Sequence, residues 1–139
     1  MEKVLIVYWS STGNTEIMAE ALAQGCSESG EVTCVNVGEN PSVDGYDRYL
    51  LGCSSMGDEV LDEGEFEPWL TSVEDSLSGK KVALFGSYGW GDGRWMREWE
   101  ERSTIKGFNL FDEGLIINYT PDDAGKEQCI EYAKEFMKF

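Results

Sequence analysis

Histidine is absent from this chain of 139 residues. That excludes Ser-His-Asp and Cys-His nucleophilic catalysis and any imidazole-ligated metal. The four cysteines, Cys26, Cys34, Cys53 and Cys129, form no C-x-x-C pair and match no zinc spacing. Two fall in predicted helices and two in predicted strands, and they read as buried thiols acting as small hydrophobes. No apolar run is long enough to span a bilayer. The first run, residues 3–9, is followed by no small-residue cleavage site, so the chain reads as cytoplasmic with no membrane partner. Positive charge is scarce: 11 Lys and Arg stand against 27 Asp and Glu, a net charge of −16. Nucleic acid and anionic membranes are poor partners for such a chain, and a basic protein surface is a good one. With no side-chain base and no metal site expected, the chemistry that remains leans on a cofactor.

What is present begins with the run Lys3 to Trp9 (K-V-L-I-V-Y-W), followed by Ser10-Ser11-Thr12-Gly13-Asn14-Thr15. A helical pattern starts at Glu16. A strand, a hydroxyl-rich loop and a helix N-terminus make a phosphate-binding device, because the first helical N–H groups lack partners and the helix dipole favours an anion. The loop has no Lys or Arg and no G-x-x-x-x-G-K-[ST] pattern, which argues against nucleotide triphosphate hydrolysis. On its own the segment also reads as an ordinary polar turn.

Hydrophobic periodicity places a helix over residues 15–29, a short strand over 32–37 and a loop over 38–47, with room for one short helical turn. A buried strand follows over 48–53, then a long acidic loop. Phe66, Trp69, Leu70, Val73 and Leu77 mark a second helix, and residues 81–87 another apolar strand. A third helix starts around Trp95, Met96 and Trp99 and ends at Gly107 as its C-cap. Residues 115–118 form a last strand. Asp122 caps a final helix whose apolar face is Cys129, Ile130, Ala133, Phe136 and Met137. Apolar strands alternating with amphipathic helices predict a doubly wound α/β fold. Its five-stranded parallel sheet has the order 2-1-3-4-5, with helices on both faces, in a single domain over residues 1–139. The ligand then sits beyond the carboxyl ends of strands 1 and 3, so the chemistry belongs in the loops after strands 1, 3 and 4.

Those loops read Gly52-Cys53-Ser54-Ser55-Met56-Gly57-Asp58-Glu59 and Gly86-Ser87-Tyr88-Gly89-Trp90-Gly91-Asp92-Gly93. Trp90, between glycines, is poorly placed for a core. It either lies flat on a planar ligand or folds back on the protein surface. Met56 offers a polarizable apolar contact on the other side of such a ring, or fills core. Gly57 falls at the first central position of a turn over 56–59, where type II′ geometry needs positive φ, although a plain tight turn uses glycine there too. Asp58, Glu59, Asp62, Glu63, Glu65, Glu67 and Asp92 form an acidic rim beside this edge, for which a merely solvated face is the alternative.

These motifs, V-L-I-V-Y-W-S-S-T-G-N-T-E, G-C-S-S-M-G-D-E and A-L-F-G-S-Y-G-W-G-D-G, occur in this order, and the chain resembles the flavodoxins of the short-chain kind over essentially its whole length. The resemblance implies a low-potential electron-transfer protein, not an enzyme. It would carry single electrons on non-covalently bound FMN between redox enzymes, shuttling between semiquinone and hydroquinone. It implies that Ser10, Ser11, Thr12, Gly13, Asn14 and Thr15 bind the FMN phosphate and that Met56 and Trp90 sandwich the isoalloxazine ring. Ser54, Ser55, Ser87 and Tyr88 would surround the ribityl chain and ring. Glu59, with backbone groups of Gly89 and Gly91, would contact the ring's polar edge, and the Gly57–Asp58 peptide would flip its carbonyl toward N5. Partner enzymes would dock a basic surface on the acidic rim of a monomer. Ser11 stands where short-chain members commonly have glycine, and the 38–47 connection is trimmed. The competing readings are an FMN-dependent reductase, a flavodoxin-like activator of a specific enzyme, and a response-regulator-like module. The last wants a phosphorylatable Asp where this chain has Cys53-Ser54.

Overall fold

The computed structural model describes residues 1–139. Its elements are β1 (Glu2–Trp9), α1 (Asn14–Ser27), β2 (Gly30–Asn36), β3 (Arg48–Cys53), α2 (Phe66–Val73), β4 (Lys81–Tyr88), α3 (Arg94–Ile105), β5 (Asn109–Leu110), β6 (Leu115–Asn118) and α4 (Asp123–Lys138). All strand pairs are parallel, and the order is β2-β1-β3-β4-β5 with β6 also on β4.

Burial on both faces explains the continuous apolar strands. Leu5, Val7, Tyr49, Leu51, Val82 and Leu84 point to one side and pack with Phe66, Trp69, Leu70, Trp95 and Trp99 of α2 and α3. Their neighbours Val4, Ile6, Leu50, Ala83 and Phe85 point to the other and pack with α1 and α4 through Met18, Leu22, Cys129, Ala133 and Phe136. The period-2 alternation of strand side chains thus divides one sheet between two cores. At the far end from the site, buried Arg48 donates from Nη1 to the carbonyls of Phe136 and Phe139, both at 2.8 Å. A guanidinium at the carbonyl end of α4 complements its dipole.

The predicted elements are all present, with differences at their edges. The first helix spans 14–27 rather than 15–29, and β2 starts two residues earlier than expected. The 38–47 connection carries one 3-10 turn, Val37–Glu39. The second helix turns 3-10 over Glu74–Leu77. Gly107, at φ 85°, follows the C-cap Lys106 of α3, and Asp122 caps α4 by accepting from Gly125 N at 2.8 Å. The fifth strand is broken. β5 pairs Lys81–Val82 and β6 pairs Phe85–Tyr88, with residues 111–114 looping out between them. Cys34 corrects the reading of four buried thiols: it lies on the edge strand β2 and is exposed.

Candidate functional site

The strand order reverses between β1 and β3, so α1 and the loops after β1, β3 and β4 meet at one sheet edge. Gly13, at φ 98°, takes the N-cap position of α1 and has no side chain with which to cap it. Ser10 substitutes from outside the helix: its Oγ accepts from Gly13 N at 3.0 Å and Glu16 N at 3.2 Å. The N–H groups of Thr12, Asn14 and Thr15 make no hydrogen bond within the chain. They sit at the positive end of the α1 dipole, in a loop without a cation. Donors of this kind fit a terminal phosphate.

Three hydroxyls expected at the ligand also hold the loops to one another. Thr15, Ser54 and Ser87 are all buried. Thr15 Oγ1 lies 2.8 Å from Ser54 Oγ and 3.0 Å from Ser87 Oγ, and it accepts from Ser87 N at 3.2 Å. Ser54 Oγ also accepts from Ser11 N at 3.4 Å. One knot of side chains therefore joins the loops after β1, β3 and β4. Buried hydroxyls paired in this way are costly to unpair, so the knot fixes the spacing of the loops.

The positive φ expected at Gly57 is present, and the loop after β3 closes at Val60, one residue beyond the turn expected over 56–59. Met56 and Val60 exchange backbone hydrogen bonds, each 2.9 Å, around the three residues 57–59. Gly57 has φ 48° and Glu59 φ 58°. A Cβ at Gly57 would meet no atom within 4 Å, so only its backbone conformation is special. Glu59 is only 6% exposed. Its Oε1 accepts from Gly93 N at 3.1 Å and Arg94 N at 3.0 Å, which makes it the cap that Gly93 cannot give α3. Gly91 accommodates this carboxylate: a Cβ there would stand 2.5 Å from Glu59 Cδ. Arg94 Nη2 donates to the carbonyl of Asp58 at 2.6 Å. The far half of the hairpin is thus held on the N-terminus of α3, and the Gly57–Asp58 peptide remains free.

The loop after β4 presents Trp90, 65% exposed. Tyr88 turns inward, its ring 5.5 Å from that of Trp95. A cleft of about 300 Å³ is lined by Ser11, Thr12, Asn14, Ser54, Ser55, Ser87, Tyr88, Gly89, Trp90 and Tyr119. Nine of these ten were expected at the site. Ser10, Gly13, Thr15, Met56, Gly57, Asp58, Glu59 and Gly91 do not line it. Ser10 and Thr15 form its frame, and Met56 is half-buried at the base of the hairpin.

Sequence reasoning missed a fourth loop, after β6. Asn118 Nδ2 donates to the carbonyls of Tyr88 and Gly89, and Tyr119 N donates to Tyr88 O at 2.7 Å. Thr120 Oγ1 donates to Asn14 Oδ1 at 3.0 Å. The signal available was polar Asn118 and Thr120 directly after the apolar run 115–117.

The acidic rim is less uniform than its sequence. Glu67 pairs with Arg102 at 2.6 Å and Asp92 with Arg97 at 3.1 Å. The Arg97 guanidinium, by hydrogen bond and charge, holds the Asp92 carboxyl below its usual range. Asp62 Oδ2 accepts from Glu65 N and Phe66 N at the start of α2, and Glu65 accepts from Trp9 Nε1. Glu59 is buried, which leaves Asp58 and Glu63 as carboxylates exposed without a partner.

Unpartnered amides at a helix N-terminus, a hydroxyl-lined cleft without a charged lining residue and an exposed indole define a class: a doubly wound protein that holds a phosphate-bearing planar cofactor. A sequence model of the flavodoxin family matches residues 6–132. A flavodoxin of Clostridium beijerinckii is 52% identical over 134 residues, covering 94% of this chain and 96% of that protein. A flavodoxin of Megasphaera elsdenii is 44% identical over 139 residues, covering 97% and 98%. The solution structure of the two-electron reduced Megasphaera elsdenii flavodoxin superposes with a TM-score of 0.86 at 40% identity, covering 98% of this chain and 99% of that one. The chain belongs to the flavodoxin family, and like its members it is an FMN-binding electron carrier rather than an enzyme.

Proposed function

We propose that residues 1–139 act as a single FMN domain and as a monomeric, cytoplasmic, low-potential carrier of one electron at a time. FMN supplies the redox chemistry when bound; the chain's task is to hold and tune it. The observation that carries this reading is the set of free N–H groups at Thr12, Asn14 and Thr15 beside the cleft that Trp90 borders. In this reading those amides, with Ser11 and the frame residues Ser10 and Gly13, take the phosphate. Ser54, Ser55, Ser87 and Tyr88 set the walls, Thr15 ties them together, and Trp90 and Met56 flank the ring.

The Gly57–Asp58 peptide would offer its carbonyl as an acceptor to the N5–H group of the reduced ring. Such a hydrogen bond would be worth about 1 kcal/mol. Glu59 acts by fixing the hairpin and the Gly89–Gly91 segment against α3, so that backbone groups of Gly89 and Gly91 face the ring's polar edge. No cation neutralises the phosphate, and Asp58 and Glu63 add unpaired negative charge. One carboxylate about 10 Å away at an effective dielectric of about 20 opposes added negative charge by roughly 1.7 kcal/mol, on the order of 70 mV for one electron. The same charges steer a partner redox enzyme with a basic surface.

Anaerobic potentiometric titration of the FMN-loaded protein tests the reading. Two separated one-electron steps are expected, the second far below that of free FMN and rising with salt as the rim is screened. A single two-electron step near the free-FMN value would refute it.

A further inference from the structure

We infer that Tyr119 is a third aromatic wall of the cofactor cleft, contacting bound FMN between the phosphate loop and Trp90. The inference rests on the cleft being the FMN site. Tyr119 lines the cleft together with Ser11, Thr12, Asn14 and Trp90. Its ring edge lies on the backbone of Gly89, the residue before Trp90: a Cβ at Gly89 would stand 3.4 Å from Tyr119 Cε1. A Cβ at position 89 would thus be in van der Waals contact with the ring. The ring is 62% exposed and has no aromatic partner within the chain. A large amphipathic side chain left open at the mouth of a cleft is suited to covering a flat ligand.

The backbone adds an independent sign. Tyr119 has φ 59°, a conformation that costs a residue with a side chain and that Gly or Asn adopts more cheaply. Strain of this kind persists where the surroundings over-determine it, and it gathers at ligand clamps. The surroundings here are specific. Tyr119 N and Asn118 Nδ2 both bond to Tyr88 O, and Thr120 bonds to Asn14 of the phosphate loop. The loop after β6 thus aims a tyrosine at the cleft from the α1 side and holds it there. The fold alone would be served better by asparagine or glycine at this position, so the ring itself is what the cleft uses.

The test titrates apoprotein, prepared by removing FMN, with FMN while following the loss of flavin fluorescence. The stability of each apoprotein is measured by urea unfolding. Tyr119→Asn and Tyr119→Gly are expected to raise the FMN Kd about tenfold, the scale of one lost aromatic contact. Their urea midpoints should equal or exceed that of the unmodified apoprotein, because the strain at φ 59° is relieved. Tyr119→Phe, which keeps the ring, should recover the unmodified Kd to within about twofold. Asn and Gly variants that bind FMN as tightly as the unmodified chain, or that lose affinity only in step with a fallen urea midpoint, would overturn the inference. Failure of the unmodified chain to take up FMN would instead defeat the reading of the cleft.

Discussion

Replacing Gly57 with threonine isolates the hinge of the cofactor loop. A Cβ at this position meets nothing within 4 Å, so the substitution removes no space and breaks no contact. Its whole effect is conformational. At φ 48° a β-branched residue is strained whichever way the 57–58 peptide points. Part of that strain is common to both orientations and appears as lower stability. The remainder differs between them. Turning the Gly57 carbonyl outward combines positive φ with extended ψ, a region essentially reserved for glycine. The rest of the hairpin cannot absorb the change, because Met56 and Val60 close its base and Arg94 and α3 hold Asp58 and Glu59. The outward state should therefore be penalised by a further 1–2 kcal/mol or so, lowering the first reduction potential by on the order of 40–90 mV. Spectroelectrochemistry of the FMN-loaded variant measures this directly. A first potential within about 10 mV of the unmodified protein would refute the hinge, since 59 mV corresponds to only a tenfold change in a one-electron equilibrium.

Glu59→Ala should destabilise the fold by roughly 2 kcal/mol in urea unfolding, because it leaves the Gly93 and Arg94 amides at the start of α3 without their charged acceptor. Glu59→Gln, which keeps one acceptor oxygen, should lose about half as much; equal losses would show that charge, not the bond, is what matters. Alkaline pH should weaken the fold in a defined window. Burial raises the Cys26 and Cys129 thiols from 9.0 to about 12, and burial followed by the Glu16 hydrogen bond raises the Tyr8 hydroxyl from 10.0 to about 12. Groups raised in the folded state contribute stability that is complete below their unfolded values and lost as pH rises through the folded ones. Urea midpoints should therefore hold up to about pH 9 and fall steadily toward pH 12. Tyr8→Phe should reduce the slope above pH 10, and an unchanged slope would remove Tyr8 from the account.

The architecture was legible because the central strands β1, β3 and β4 are apolar on both faces and the helices on one. That pattern distinguishes a covered parallel sheet from other α/β arrangements. The three loops were legible because glycine, hydroxyl and aromatic residues stand at the ends of those strands. What the sequence could not display is pairing across long separations. Nothing local says that Glu59 caps a helix 35 residues further on, or that Thr15 bonds Ser54 and Ser87. A carboxylate inside an acidic run looks like its neighbours until the fold buries one of them. The two-residue strand β5 carries too little pattern to be read. The loop after β6 was passed over because its role rests on bonds from Asn118, Tyr119 and Thr120 to two other loops.

In the proposed reading a cation-free loop holds the phosphate of FMN through its own amides while Trp90 borders the ring. Backbone and indole NMR of the apoprotein titrated with FMN tests it most directly. The amide signals of Thr12, Asn14 and Thr15 and the Trp90 indole signal should shift together and saturate at one FMN per chain. Saturation of flavin binding with those amide signals unmoved would contradict it.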